Sequence, residues 1–319
     1  MINQPLRLTV LGCATPYPSV DNPCSGYLLS SGDTHVWVDA GTGTLGQLQR
    51  HVRLDELAAI WISHLHADHS ADLLTAYYGA LFADIQLAAP IPLYGPPGIA
   101  DRLAHFLTNT TLRSPIESAF AITELHDGHR VEVGPLTLTS QAVSHGIPAF
   151  ALRVAVAGRS LVYSGDTAPC DSLTRLADGG DVLLCEAESA QVPAEGEQVH
   201  HTPEDAGDTA SAAGVGRLIV THVGRFLSPQ EAVARASTRF DGPVDYAAPG
   251  ATFEIDQASR TRRRGGFETT GACQLIDCSG VSASADGELP AVGHVVGRAV
   301  RAPAMRAGDT VDHCGDRST

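Results

Sequence analysis

The chain has 319 residues, 43% of them hydrophobic, a formal charge of -15, and 21 basic residues that are all arginine. That length holds one large domain or two small ones, with an apolar content ordinary for a globular protein. An acidic surface does not draw in polyanions over long range, so no long nucleic acid is expected as partner; a small anionic substrate remains compatible, because bound metal ions reverse the local field.

From the N-terminus, Leu6 to Leu11 reads as an apolar strand, and Gly26 to Ser30 with His35 to Asp39 as a hairpin around Ser31-Gly32-Asp33-Thr34. Ala58 to Ser63 is a buried strand running into a histidine cluster, followed by helical periodicity over Ala71 to Ile85. Ile91 to Tyr94 is a strand and Pro97 to Leu107 a helix. Strands follow at Arg130 to Val133, Leu136 to Ala142, Phe150 to Ala157, Ser160 to Tyr163, Asp181 to Glu186 and Arg217 to Thr221. Thr202-Pro203-Glu204-Asp205 opens a helix to about Ala213: threonine caps, proline takes the first helical position and an acid sits three residues past the cap. A further helix covers Pro229 to Arg239. Past Ile255 periodicity fades, so the expected division is a folded domain over 1–256 and a disordered or non-native extension over 257–319.

No apolar run approaches the roughly 18 residues of a membrane span, and Met1 to Leu6 shows no charged start leading into an apolar stretch. A cytoplasmic protein without a membrane partner is expected. Seven cysteines with no close CxxC pair read as free thiols of a reducing compartment.

The chemistry concentrates in Ser63-His64-Leu65-His66-Ala67-Asp68-His69, where four potential ligands follow the end of an apolar strand. Two histidines at i and i+2 point the same way from an extended chain, and the turn after them brings Asp68 and His69 to a second position. Imidazole with carboxylate suits zinc, and also iron or manganese. Three more candidates sit near strand ends: His145 in Ser144-His145-Gly146, Asp166 in Tyr163-Ser164-Gly165-Asp166-Thr167, and His222 after Leu218-Ile219-Val220-Thr221. A single histidine of this kind is usually a surface residue; a set arriving in order is not.

This HxHxDH pattern with its later partners resembles the metallo-β-lactamase superfamily. The resemblance implies an α+β fold, an αββα four-layer sandwich of two mixed sheets with helices outside, whose related halves meet near residue 130. It implies two divalent metal ions, zinc first with manganese or iron as alternatives. His64, His66 and His145 would hold one, Asp68, His69 and His222 the other, with Asp166 between them. Paired cations share a water and lower its pKa from roughly 15.7 to about 7. Asp68 and Asp166 offset part of the metals' charge, and Asp68 counts as catalytic as well as ligating. Asp39, in Val38-Asp39-Ala40-Gly41-Thr42-Gly43, matches a family position that orients ligand imidazoles. It also reads as a cap for a helix starting near Thr44.

Two further segments resemble the ribonuclease Z-like phosphodiesterase branch. Cys185-Glu186-Ala187-Glu188 matches its glutamate motif, and His200-His201-Thr202 its histidine segment. Aligned on Thr202, the general acid falls on His200, paired with Glu186, although the two adjacent histidines leave the choice open. His145 and Asp166 are only 21 residues apart, with no room for the transfer-RNA arm of common ribonuclease Z forms. The stretch Leu6 to Ile255 is most similar to bacterial atypical class II cyclic-nucleotide phosphodiesterases, in Thr9 to Cys13, Ser25 to Leu29, Leu93 to Pro96 and Phe240 to Pro243 among others. The expected activity is hydrolysis of a small phosphodiester such as cyclic AMP, and the resemblance implies a homodimer. The alternatives are an ester or lactone hydrolase on the same metals, a transfer-RNA 3′ endonuclease and a non-catalytic metal-binding module. Tyr77, Tyr78 and Tyr94 are candidates for the pocket wall, with core packing the expected role for at least two.

Overall fold

The computed structural model describes residues 4–83, 85–106 and 111–257. The extension expected over 257–319 lies outside the described residues but for Gln257.

In chain order the first half supplies β1 (Leu6–Gly12), β2 (Gly26–Ser31), β3 (Thr34–Val38), α1 (Thr44–Leu48), β4 (Ala59–Trp61), α2 (Ala67–Ser70), α3 (Asp72–Phe82), β5 (Ile91–Gly95), α4 (Ile99–Phe106) and β6 (Phe120–Glu124). The second supplies β7 (Arg130–Val133), β8 (Leu136–Ala142), β9 (Phe150–Val156), β10 (Arg159–Tyr163), α5 (Asp171–Ala177), β11 (Val182–Ala187), α6 (Pro203–Ala213), β12 (Arg217–Val223), α7 (Pro229–Ala236) and β13 (Val244–Tyr246). A last strand, β14 (Thr252–Ile255), returns to pair with β1.

Two seven-stranded sheets result, in the orders β14-β1-β2-β3-β4-β5-β6 and β13-β12-β11-β10-β9-β8-β7. Each is an antiparallel meander continued by parallel strands, β3 to β6 in one and β10 to β13 in the other. The period-2 alternation of strand side chains explains the layers. Val36, Val38, Ala59 and Trp61 face the central core with Leu152, Val154, Leu161 and Leu184 of the second sheet. The intervening Trp37, Ile60 and Ile62 face outward onto α1, α3 and α4 residues such as Leu48, Leu73 and Leu103. Val162, Leu183 and Cys185 do the same for α5, α6 and α7. Three apolar layers thus make the expected four-layer sandwich, its second meander starting at Arg130.

β4 (with β3) and β11 and β12 (with β10) run parallel to their neighbours, so the chain leaves each group of strands at one edge of its sheet. The segments that follow β3, β4, β8 and β10 carry Asp39, His64 to His69, His145 and Asp166, as fits a site built on loops over a rigid scaffold. The α6 start is as expected: Thr202 accepts from the Asp205 N–H, and the Asp205 carboxylate accepts from the Thr202 N–H. No described helix is long and apolar enough to cross a membrane, and Cys13, Cys24, Cys170 and Cys185 are free thiols.

Candidate metal centre

The strand β4 delivers Ser63 and His64 to the buried floor of the site, and the chain stays extended to His66 before α2 begins. Asp68 and His69 therefore sit in the first helical turn, facing back under the two histidines. Asp166 follows Gly165, whose φ of +58° takes the left-handed conformation that glycine adopts without a Cβ penalty. A Cβ there would also lie 2.8 Å from the Phe150 carbonyl oxygen.

His222 is placed by an irregularity that its sequence context does not announce. β11 and β12 pair Glu186 with Thr221 and then Ala187 with Val223, so His222 is an extra residue in the ladder. Its φ is +47°. A bulge of this kind re-aims a side chain, here turning the imidazole into the cleft. Asp39 is the other left-handed non-glycine residue of the site, at φ +55°. Backbone held in such regions costs on the order of 1–3 kcal/mol and persists where surrounding contacts over-determine it.

The seven expected ligands come together as two clusters. His64, His66, His145 and Asp166 form one, and Asp68, His69 and His222 the other, with ligand atoms within 4.8 Å of one another in each. In the first, His64 Nε2 lies 3.0 Å from His66 Nδ1, and His145 Nε2 3.3 Å from the same nitrogen. Asp166 Oδ2 is 3.7 Å from His64 Nε2. In the second, His69 Nε2 is 3.8 Å and His222 Nε2 3.9 Å from Asp68 Oδ2. The two carboxylate oxygens of Asp166 divide over that pair, Oδ1 3.3 Å from His69 Nε2 and Oδ2 3.3 Å from His222 Nε2. A tetrahedron with metal–nitrogen bonds of 2.0–2.1 Å has edges of about 3.3 Å, so these separations suit ligands around a common cation. His69 Nε2, His222 Nε2 and Asp166 Oδ1 are moreover buried with no hydrogen-bond partner among the described residues. Polar atoms so placed carry a desolvation cost that a metal would remove. The residues present fit two divalent ions.

The opposite ring nitrogens show the same logic. His69 Nδ1 donates to Asp39 Oδ2 at 2.7 Å, and His145 Nδ1 to the Val199 carbonyl at 3.0 Å. His64 Nδ1 lies 3.0 Å from the Ser63 hydroxyl and His222 Nδ1 2.7 Å from the Ser25 hydroxyl. Such partners fix tautomer and orientation, and leave Nε2 for a metal. Asp39 also accepts from the Ser63 N–H, the Ser63 hydroxyl and the Tyr163 hydroxyl, at 2.7, 2.8 and 2.8 Å. It does not cap α1, whose N-cap is Gly43 with no side-chain hydrogen bond; four donors nearer the metal centre take its oxygens instead. Asp39→Ala is expected to weaken metal binding about 10–100-fold, as loss of such a partner does. A competitive chelator titration measures it, and unchanged affinity would deny Asp39 the orienting role.

Burial, then the neighbouring His69, pushes the His64 imidazole well below its ordinary pKa, and burial with His145 lowers His66. Burial would raise Asp166, but the imidazoles of His222, His69 and His64 hold it well below the usual carboxylate range. Burial opposes a charged ring at His69 and His222 too, but Asp166 raises both, and a metal would displace those protons, since neutral imidazole and ionised carboxylate are the forms that ligate.

His200 faces the cleft, whereas His201 is buried, with Nδ1 2.6 Å from the Thr167 carbonyl and Nε2 3.1 Å from the Thr209 hydroxyl. His200 Nδ1 lies 2.9 Å from Glu186 Oε1 and 3.9 Å from Asp166 Oδ2. Its Nε2 lies 2.6 Å from Glu188 Oε2. Burial opposes a charged ring, but the bonds to Glu186 and Glu188 outweigh it and carry the pKa to about 11.

Thr15, Pro16, His66, Ala67, Asp68, Asp166, Glu188 and His200 line a cleft of about 330 Å³. None of Tyr77, Tyr78 and Tyr94 is among them. Tyr77 is buried in the outer core, Tyr94 packs against the central one, and Tyr78 is exposed. Sequence reasoning missed Ser25, Ser63 and Tyr163 as supporting groups, and Glu188 as a cleft residue. For Glu188 a signal existed: two residues past Glu186, it shares that residue's face of an extended chain.

The family model described as a beta-lactamase superfamily domain matches residues 34–223. The uncharacterized protein Rv1339 of Mycobacterium tuberculosis is 36% identical over 258 residues, 79% of this chain and 93% of that protein. A ribonuclease Z of Mycobacterium bovis is 31% identical over 273 residues, covering 75% of this chain and 95% of its own. The crystal structure of the metallo-beta-lactamase fold protein YhfI from Bacillus subtilis superposes with a TM-score of 0.68 at 27% identity, over 79% of this chain and 99% of that one.

Proposed function

We propose that this chain, which belongs to the metallo-β-lactamase superfamily, is a dinuclear-metal phosphodiesterase acting on a small phosphodiester, a 3′,5′-cyclic nucleotide first. The observation that carries the reading is the position of His200: an imidazole backed by Glu186, beside two ligand clusters that Asp166 joins, with Nδ1 3.9 Å from Asp166 Oδ2. Acyl transfer needs such an acid less, because attack on a carbonyl first forms a tetrahedral intermediate and expels nothing, whereas displacement at phosphorus develops charge on the departing alkoxide in the same step.

Bound at the two clusters, divalent ions, zinc first, supply Lewis acidity for a phosphoryl oxygen and lower the pKa of a water. The chain's own residues do the rest. His64, His66, His69, His145, His222 and the carboxylates of Asp68 and Asp166 hold the ions. Glu186 holds Nδ1 of His200, which leaves the Nε2 proton for the departing oxygen. Glu186 is itself fixed by the Thr167 N–H on Oε1 and the Glu188 N–H on Oε2, at 2.8 and 3.1 Å.

The size of the substrate follows from the cleft and from what flanks it. A cavity of about 330 Å³ lies in the range of small-molecule sites. Between His145 and Asp166 the chain runs through β9, the turn Ala157-Gly158 and β10, with no arm inserted there to grip a transfer RNA. Both favour a nucleotide over a polynucleotide.

The test is turnover of 3′,5′-cyclic AMP by the metal-loaded protein, with product separated chromatographically and a chelator control. AMP formation abolished by chelator is expected. No turnover with two ions bound would move the reading to esters and lactones on the same site.

A further inference from the structure

We infer that Glu188 is a specificity-determining residue, whose carboxylate stands where the departing oxygen of a substrate must sit and restricts this cleft to phosphodiesters with a neutral leaving group. The inference rests on the proposed phosphodiester reading. It goes beyond it by naming what the leaving group cannot carry: a further phosphate or a carboxylate.

The argument begins with the one nitrogen of His200 that Glu186 does not hold. A proton delivered to the leaving oxygen has to come from Nε2, so that oxygen has to approach within hydrogen-bond distance of it. Glu188 Oε2 occupies that place, at 2.6 Å. An acceptor oxygen already seated on the acid marks the leaving-group position, and substrate must displace it.

Glu188 has little room to retreat. Its N–H donates to Glu186 Oε2 at 3.1 Å, and its other oxygen, Oε1, accepts from the Thr15 hydroxyl at 3.1 Å. On its carbonyl side Gly224 packs so closely that a Cβ there would fall 1.9 Å from the Glu188 oxygen. With the backbone clamped, only side-chain rotation moves the carboxylate, and it stays beside the leaving group after giving up Nε2.

The charge around it sharpens the consequence. Glu188 lies in the same cleft as Asp68 and Asp166, and the lining residues include no arginine. The ions would compensate the phosphate at the metal clusters; on the leaving side the described lining offers one cation, the His200 ring, and it is already bonded to both Glu186 and Glu188. Like charges brought together in a partly desolvated site cost binding, and small separations make the cost large. A hydroxyl suffers no such penalty and can donate to the displaced carboxylate.

Calorimetric titration of the metal-loaded full chain tests this without turnover. The probes are glycerol 2-phosphate, neutral beyond its phosphate, and 2-phosphoglycerate, which has a carboxylate in place of one hydroxymethyl group. Wild type is expected to bind glycerol 2-phosphate tighter by about tenfold or more. Glu188→Gln should shrink that preference by about tenfold, mainly by tightening 2-phosphoglycerate, while Glu188→Asp, which keeps the charge, retains most of it. Equal binding of both probes by wild type overturns the inference whatever the variants do, and so does an unchanged preference in Glu188→Gln of normal metal content and melting temperature. Absence of cyclic AMP turnover would count against the phosphodiesterase reading and leave this selectivity measurable; turnover with no selectivity would remove the inference and leave the reading.

Discussion

Asp166→Asn is expected to reduce the bound metal from two ions to at most one and to lower turnover by at least about 10³-fold, several kcal/mol of lost transition-state stabilisation. The side chain is buried, and its two oxygens serve His69 on one side and His222 on the other at 3.3 Å each. Among the described residues neither Oδ1 nor the two Nε2 atoms has a hydrogen-bond partner. The carboxamide keeps the shape but removes the charge and replaces one lone-pair face with a donor aimed at imidazole nitrogens. Native mass spectrometry counts the ions, and the cyclic AMP assay reads the rate. Two ions with intact turnover in this variant would remove Asp166 from the centre of the site.

His200→Ala is expected to keep both ions and lose about 10²- to 10⁴-fold in rate, the usual worth of a positioned general acid. Its ring borders the clusters from outside, with Nδ1 3.9 Å from Asp166 Oδ2 and ring centroids 5.1 Å from His145 and 6.3 Å from His222. The loss should depend on the leaving group. Cyclic AMP expels a poor alkoxide and needs the proton; bis(p-nitrophenyl) phosphate expels a stabilised phenolate and needs it little. A large defect on the first and a small one on the second is the expected pattern. Equal defects on both would point to a structural role, and no defect on cyclic AMP would place the acid elsewhere.

Much of this molecule is legible along the chain because its signals are local. The HxHxDH run needs only an extended chain followed by a helical turn, and β4 with α2 supplies both. The α6 start is written in four consecutive residues, the first and last of which satisfy each other's N–H groups. The β2–β3 hairpin follows from two alternating runs around Gly32 and Asp33. Short or sparsely patterned strands escape such reading. β6, β13 and β14 take their places through pairing with β5, β12 and β1, the last from the far end of the domain.

By itself the sequence disclosed the candidate ligands, their order and the family, since those depend on which residues follow which. The tertiary structure alone decided how they face. His222 reaches the cleft through a bulge created by the pairing of two strands; nothing in Val220-Thr221-His222 contains that irregularity. His200 and His201 are chemically equal neighbours, and only the packing of His201 against Thr167 and Thr209 leaves the other one in the cleft. Asp39 reads locally as a helix cap and is drawn instead to Ser63, His69 and Tyr163, groups as far as 124 residues away. Hydrogen bonds of that range are made when two sheets pack face to face, and a chain read residue by residue does not contain them.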